Sequence, residues 1–201
     1  MIDLPTGLSA DLVPLSWLVG VWEGTGVIDY EAAGHRYAGE FAHRVSFSHD
    51  GGDYLNYAAS AWLSSQGDEP GAPLVAETGY WRLARPLGDA DAGPALLPAL
   101  ASARARTADD VETLRTAEGG FEIEAAIVHS DAVTELYLGR VTGPRIDIAT
   151  DAVVRPSGSK SYAAATRMYG LVDAHLLWAW DIAALGTELR SHASARLAKA
   201  D

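Results

Sequence analysis

Apolar and polar residues alternate along most of the chain. Phe41, His43, Val45 and Phe47 fall on one face of the stretch 41–48, and Leu55, Tyr57, Ala59 and Ala61 on one face of 54–63. A period of two means side chains pointing alternately to opposite sides, so each stretch reads as a strand with one buried face. Between them, Asp50-Gly51-Gly52-Asp53 supplies the turn chemistry that reverses a chain. The same reading predicts strands over 21–30, 41–48, 54–63, 74–84, 120–129, 133–141, 145–150, 159–169 and 175–182. Short strands in succession, punctuated by Gly and Asp, point to an antiparallel meander that forms a sandwich or a closed barrel. Closure would leave no open sheet edge, but periodicity alone does not choose between the two.

Two segments break the pattern. Residues 88–119 start with Gly88-Asp89-Ala90-Asp91-Ala92-Gly93-Pro94 and continue into the Ala-rich run 95–105. This reads as an inserted surface loop with a little helix, the alternative being a low-order flap. Near the C-terminus, Leu189, His192, Ala193, Arg196 and Leu197 recur at spacings of three and four. That spacing predicts a short helical turn with His192 on the same face as Leu189. Residues 1–14 read as a lead-in to the first strand, and without internal repeats the span 1–201 is expected to be one domain.

Composition narrows the chemistry. The 201 residues include no cysteine, which removes disulfides, thiolate catalysis, iron–sulfur clusters and cysteine zinc sites together. With a net charge of −12, the surface repels phosphate backbones, so no nucleic-acid partner is expected. Met1-Ile2-Asp3-Leu4-Pro5 lacks the cationic and apolar regions of a secretory signal. No run approaches the roughly 18 apolar residues of a membrane helix. A cytoplasmic protein that does not engage membranes is the expectation.

Few local motifs carry chemistry. Gly20-Val21-Trp22-Glu23-Gly24-Thr25-Gly26 superficially looks like a dinucleotide fingerprint, but its glycine spacing is wrong and strand residues follow where a helix should open. The physical alternative is a first barrel strand whose tryptophan plugs one end while its glycines permit a sharp bend. The six histidines, His35, His43, His49, His129, His175 and His192, show neither H-x-H nor H-x-x-x-H spacing, so a helical zinc motif is absent. A haem iron, however, needs only one protein imidazole. No G-x-S-x-G elbow is present. Glu77 and Glu135 lie in predicted strands, yet nothing in the sequence makes them face each other as a carboxylate pair. The residues alone therefore describe a β-barrel with a cavity for an undefined ligand.

Several blocks in order go further. The string Leu18 to Gly26, with Gly20, Trp22, Gly24 and Gly26, resembles the G-x-W-x-G-x-G signature of the nitrobindins, haem proteins of the lipocalin and fatty-acid-binding-protein-like group. Phe47-Ser48-His49-Asp50-Gly51 with Tyr54-Leu55-Asn56-Tyr57 is similar to a second block, and Ala76-Glu77-Thr78-Gly79-Tyr80-Trp81-Arg82 to a third. His129-Ser130, Glu135-Leu136 and Arg167-Met168-Tyr169 follow in the family's order. Leu189-Arg190-Ser191-His192-Ala193-Ser194-Ala195-Arg196-Leu197 resembles its closing L-x-x-H-x-x-A-x-L. The likeness covers nearly the whole chain except 88–119, and runs closest to the actinobacterial branch of peroxynitrite isomerases.

The resemblance implies a ten-stranded antiparallel up-and-down barrel holding one haem b, mainly ferric, that binds nitric oxide and converts peroxynitrite to nitrate. His192 takes the place of the proximal iron ligand. Leu74, Val75, His129 and Ile182 take pocket-lining positions, and Lys160 that of a partner for a haem propionate. No catalytic side chain beyond the iron is implied. The chain departs from the family where Glu31-Ala32-Ala33-Gly34 follows Tyr30 in place of Tyr-Pro-Thr-Ile, so that wall must be built differently. It departs again at Ala193, where leucine is common. A haem-free barrel carrying a lipid or another small apolar ligand is the competing reading. A homodimer stays open, with 88–119 as the place for its interface.

Overall fold

The structure is a computed structural model that describes residues 7–64, 71–102 and 104–200. Residues 1–5 of the signal-peptide reading, residues 1–6 of the lead-in and residue 103 of the insertion lie outside the described residues. Ten strands follow one another: β1 (Gly20–Ala32), β2 (His35–Ser48), β3 (Leu55–Leu63), β4 (Pro73–Leu83), β5 (Phe121–His129), β6 (Thr134–Thr142), β7 (Arg145–Val154), β8 (Tyr162–Val172), β9 (His175–Ala184) and β10 (Arg190–Lys199). Each pairs antiparallel with the next, and β1 also pairs with β10, so the sheet closes into a barrel without edges.

Alternation is what builds the interior. Phe41, His43, Val45 and Phe47 of β2 and Leu55, Tyr57, Ala59 and Ala61 of β3 are all buried. They join Trp81, Ile123, Ile127, Tyr137, Tyr169, Trp178 and Leu197 in one continuous core. Closure depends on close approach at two glycines of β1. A Cβ on Gly24 would lie 2.2 Å from the Arg196 carbonyl oxygen, and one on Gly26 would lie 2.4 Å from that of Ser194 and 2.5 Å from Phe41 Cζ. These glycines therefore let β10 and the core approach, rather than bending β1 as the sequence reading held.

One end of the barrel is plugged by a 3-10 helix, Ala10–Leu18, which begins within the stretch read as a lead-in to the first strand. Leu12, Leu15 and Leu18 recur every third residue, the repeat of a 3-10 turn, and all three are fully buried. Trp22 plugs the same end, its indole N–H donating to the Leu18 carbonyl at 2.7 Å. The 88–119 segment is a loop with one five-residue helix, α1 (Ala108–Glu112), capped by Thr107. It is fastened to the plug by Arg106, whose Nε donates to the buried Asp11 at 2.9 Å.

The C-terminal helical turn expected from the sequence is instead strand β10. Its spacings of three and four arise from a register shift between Ser191 and Ala193, which leaves His192 without a partner on β9. A bulge of this kind places two successive residues toward one side and breaks the period of two. Inward-facing Ala193, Ala195 and Leu197 are buried, whereas Leu189 is 46% exposed and does not share a face with His192.

Candidate functional site

Opposite the plug, the barrel opens into a cavity of about 940 Å³. Its size suits a small-molecule or cofactor site. Leu74 and Val75 of β4, His129 of β5, Lys160 ahead of β8, Ile182 of β9 and His192 of β10 all line it. The six residues that the sequence reading singled out for a cofactor are therefore brought to one place. Gly20, Trp22, Gly24 and Gly26 are not among the lining residues; they serve the plug and the β1–β10 seam.

His192 is set into an aromatic wall. Tyr30 and Trp180 meet its ring edge to face, with centroids 5.6 and 5.3 Å away. Tyr30 is itself fixed, its hydroxyl donating to the Ala184 carbonyl at 3.1 Å and accepting from the Ala184 N–H at 3.2 Å. Nδ1 of His192 is sealed in the wall without a hydrogen-bond partner. Nε2 is not sealed, and the ring faces the cavity. Burial, reinforced by the charge of Arg167, depresses the His192 pKa to about 4. The ring is neutral at physiological pH, with an unshared electron pair available to a metal. A bare, neutral imidazole aimed from an apolar wall into a cofactor-sized cavity is a donor that fits a haem iron.

The wall where Tyr30 is followed by Glu31-Ala32-Ala33-Gly34 is a tight hairpin. Ala33 and Gly34 both take positive φ, 52° and 76°, as the mirror-image turn between β1 and β2 requires. The cavity side there is supplied by Ile28, Tyr30, Tyr37 and Ala38.

Behind His129 and Tyr162 on the opposite side of the cavity lies a buried polar cluster. Arg167 of β8 is wholly enclosed, with 0% side-chain exposure. Its guanidinium donates to Glu77 Oε2 at 2.6 Å, Glu77 Oε1 at 3.2 Å and Glu135 Oε2 at 3.1 Å, and its Nε donates to the Tyr137 hydroxyl at 2.9 Å. The Tyr57 hydroxyl donates to Glu77 at 2.9 Å. Glu135 also accepts from Tyr137 at 2.8 Å, from Tyr162 and from the His129 ring at 2.7 Å. Burial alone would raise both carboxyls. For Glu77 the Arg167 charge, and for Glu135 the His129 hydrogen bond with Arg167, outweigh it and hold both below the usual carboxylate range.

Glu77 and Glu135 thus point into the same interior, but as acceptors for one guanidinium rather than as a catalytic acid–base pair. Sequence reasoning gave no site role to Arg167, Tyr57, Tyr137, Tyr162 or Trp180. The available signal was phase: Glu77 shares the inward face of β4 with Trp81 and Leu83, Glu135 that of β6 with Tyr137, and Arg167 that of β8 with Ala165 and Tyr169. Among the described residues no cluster of three or more His, Asp or Glu side chains is arranged to hold a free metal ion.

A family model described as a THAP4-like, heme-binding beta-barrel domain matches residues 11–199. The chain belongs to this family. Haem is accordingly its cofactor, and a lipid-carrier reading has no comparable support. Among relatives of this haem-binding barrel, a peroxynitrite isomerase of Leifsonia xyli subsp. xyli is 61% identical over 201 residues, covering 100% of both chains. A protein of that name from Paenarthrobacter aurescens is 50% identical over 198 residues, covering 98% of each. The crystal structure of Rv2717c from M. tuberculosis superposes with a TM-score of 0.66 at 24% identity, covering 99% of this chain and 100% of that one. That last likeness speaks to the fold. No helix among the described residues is long and apolar enough to cross a membrane.

Proposed function

We propose that this haem-binding barrel isomerises peroxynitrite to nitrate, with His192 as the protein ligand of the haem. The observation that carries the proposal is the bulge in β10, which turns the unpartnered His192 into the cavity with Nε2 bare and Nδ1 sealed behind it. Full-length relatives named for this activity, at 61% and 57% identity, support the choice of substrate.

The bound haem iron supplies an electrophilic, redox-capable centre for a small anion. The rest of the work falls to the chain. His192 donates the Nε2 electron pair, and because Nδ1 has no acceptor the ring serves as a neutral imidazole, without the anionic character a carboxylate partner would lend it. Tyr30 and Trp180 fix the ring plane. Leu74, Val75 and Ile182 would give a bound haem apolar surface to pack against and would limit water beside the reacting anion. Lys160 lies at the lining without an ion-pair partner among the described residues, in a position to meet a haem propionate. Nitric oxide, small and neutral, suits the same apolar space.

The test is the product. Hemin-reconstituted protein should speed the loss of peroxynitrite and raise the yield of nitrate, and His192→Ala should abolish both effects. Decay at the protein-free rate in the presence of reconstituted wild type would overturn the activity.

A further inference from the structure

We infer that His129, oriented by Glu135, is the proton acceptor of this site: it takes the proton from the acid form of the substrate and delivers the anion. This rests on the peroxynitrite reading above.

The geometry fixes which ring nitrogen does what. Glu135 accepts four hydrogen bonds, two at each oxygen: Tyr137 and Tyr162 on Oε1, His129 and Arg167 on Oε2. A carboxyl group with every acceptor position taken by a donor has no room for a proton of its own, so Glu135 is a carboxylate. His129 Nε2 must therefore donate to it, at 2.7 Å. In the neutral ring this leaves the electron pair on Nδ1. Nδ1 makes no hydrogen bond among the described residues and is not sealed in; Glu77 Oε1 lies 3.9 Å from it. The ring stacks on Trp180, with centroids 6.0 Å apart, and lines the cavity.

The groups facing His129 are Glu77 from β4, Glu135 from β6, Tyr162 and Arg167 from β8, and Trp180 from β9, with Asp131 and Lys160 also on the lining. Two buried carboxylates share one guanidinium there. That leaves one carboxylate charge over, 3.9 Å from Nδ1 at Glu77 Oε1.

The step balances simply. Peroxynitrous acid, the conjugate acid of peroxynitrite, gives its O–H proton to Nδ1. The O–H bond breaks, an N–H bond forms, and the electron pair stays on oxygen. Nitrate leaves as the anion, and the imidazolium returns its proton to water. The acid form is thereby used as well as the anion. Glu135 is a positioning residue in this scheme, since it sets the tautomer and touches no substrate.

Two measurements test it on the full chain. In the first, hemin-loaded wild type and His129→Gln, matched by Soret absorbance, are compared from mildly acidic to mildly alkaline pH. The variant should lose about tenfold or more in kcat/KM near neutral pH, where the acid form of the substrate and a free imidazole coexist, and approach wild type at both the acidic and the alkaline ends. His129→Phe, which keeps a ring against Trp180, should do the same if the glutamine variant folds poorly. A deficit by the same factor at every pH would overturn the role. In the second, nitrogen-15 NMR of histidine-labelled, haem-free protein should show His129 protonated on Nε2 alone, with that preference lost in Glu135→Gln. The opposite tautomer in wild type would overturn the dyad. Failure of wild type to accelerate peroxynitrite decay would overturn the activity itself, while the NMR result still reports on the dyad.

Discussion

His192 and His129 look into one cavity from β10 and β5, which stand five places apart in a ring of ten strands and so on opposite walls. The two walls are built by different physics. Around His192 the neighbours are rings, the inner nitrogen has no partner, and burial keeps the imidazole neutral. Around His129 the neighbours are ions and phenols, and each carboxylate is matched to several donors. One wall leaves a lone pair free for a metal; the other fixes a proton's position. Trp180 lies between them, edge-on to His192 and stacked on His129, with the Arg167 guanidinium 4.1 Å from its ring centroid.

The difference is most easily broken at Arg167. Arg167→Met removes the guanidinium that two buried carboxylates share, and breaking a buried pair in this way costs about 3–5 kcal/mol. At roughly 2–4 °C per kcal/mol for a chain of this size, calorimetry should show the melting temperature falling by about 6–20 °C. A fall of a degree or two would mean that the carboxylates are held by the phenols alone.

Acid should act on the haem-free protein in two stages. His43, buried beside Trp178, has its pKa lowered by burial, so the unfolded chain binds its proton first. Haem-free protein therefore begins to lose stability as pH falls below about 6.5, the ordinary histidine value. Glu77 and Glu135 also have lowered folded pKa values, so their contribution is complete above the ordinary carboxylate pKa and is lost as pH falls through and below it. Urea midpoints measured against pH should show both stages, and His43→Gln should weaken only the first.

Gly26→Ala attacks the other wall through its backbone. The added methyl meets the Ser194 carbonyl, Phe41 and Ala195, forcing β10 away from β1 at a cost of about 1–3 kcal/mol. Because β10 carries His192, haem affinity should fall along with stability. A stability loss with unchanged affinity would separate the seam from the site. Tyr30→Phe is the mildest of these changes. It removes the hydroxyl that bonds both backbone groups of Ala184, which should cost about 1 kcal/mol while the ring stays against His192 and the haem spectrum changes little.

Most of the barrel was legible because stretches such as Phe41 to Phe47 of β2 and Leu55 to Ala61 of β3 bury every second residue. The C-terminal strand was not, because the same bulge that aims His192 inward also erases the alternation that would have marked the strand. The 3-10 plug was read as a lead-in although Leu12, Leu15 and Leu18 carried its period. The haem-side residues were reached by family likeness rather than by pattern, since a lone histidine has no spacing to betray it. The polar wall was missed for a different reason. Glu77, Glu135 and Arg167 sit in phase with apolar neighbours on separate strands, and only closure of the barrel brings them together.

The central claim is that His192 supplies the iron ligand from the apolar wall and His129 does not. An optical titration of hemin into wild type, His192→Ala and His129→Gln tests it directly. Wild type and His129→Gln should develop the same Soret band with similar affinity, and His192→Ala should lose or shift that band and bind more weakly. A wild-type band and affinity in His192→Ala would contradict the account.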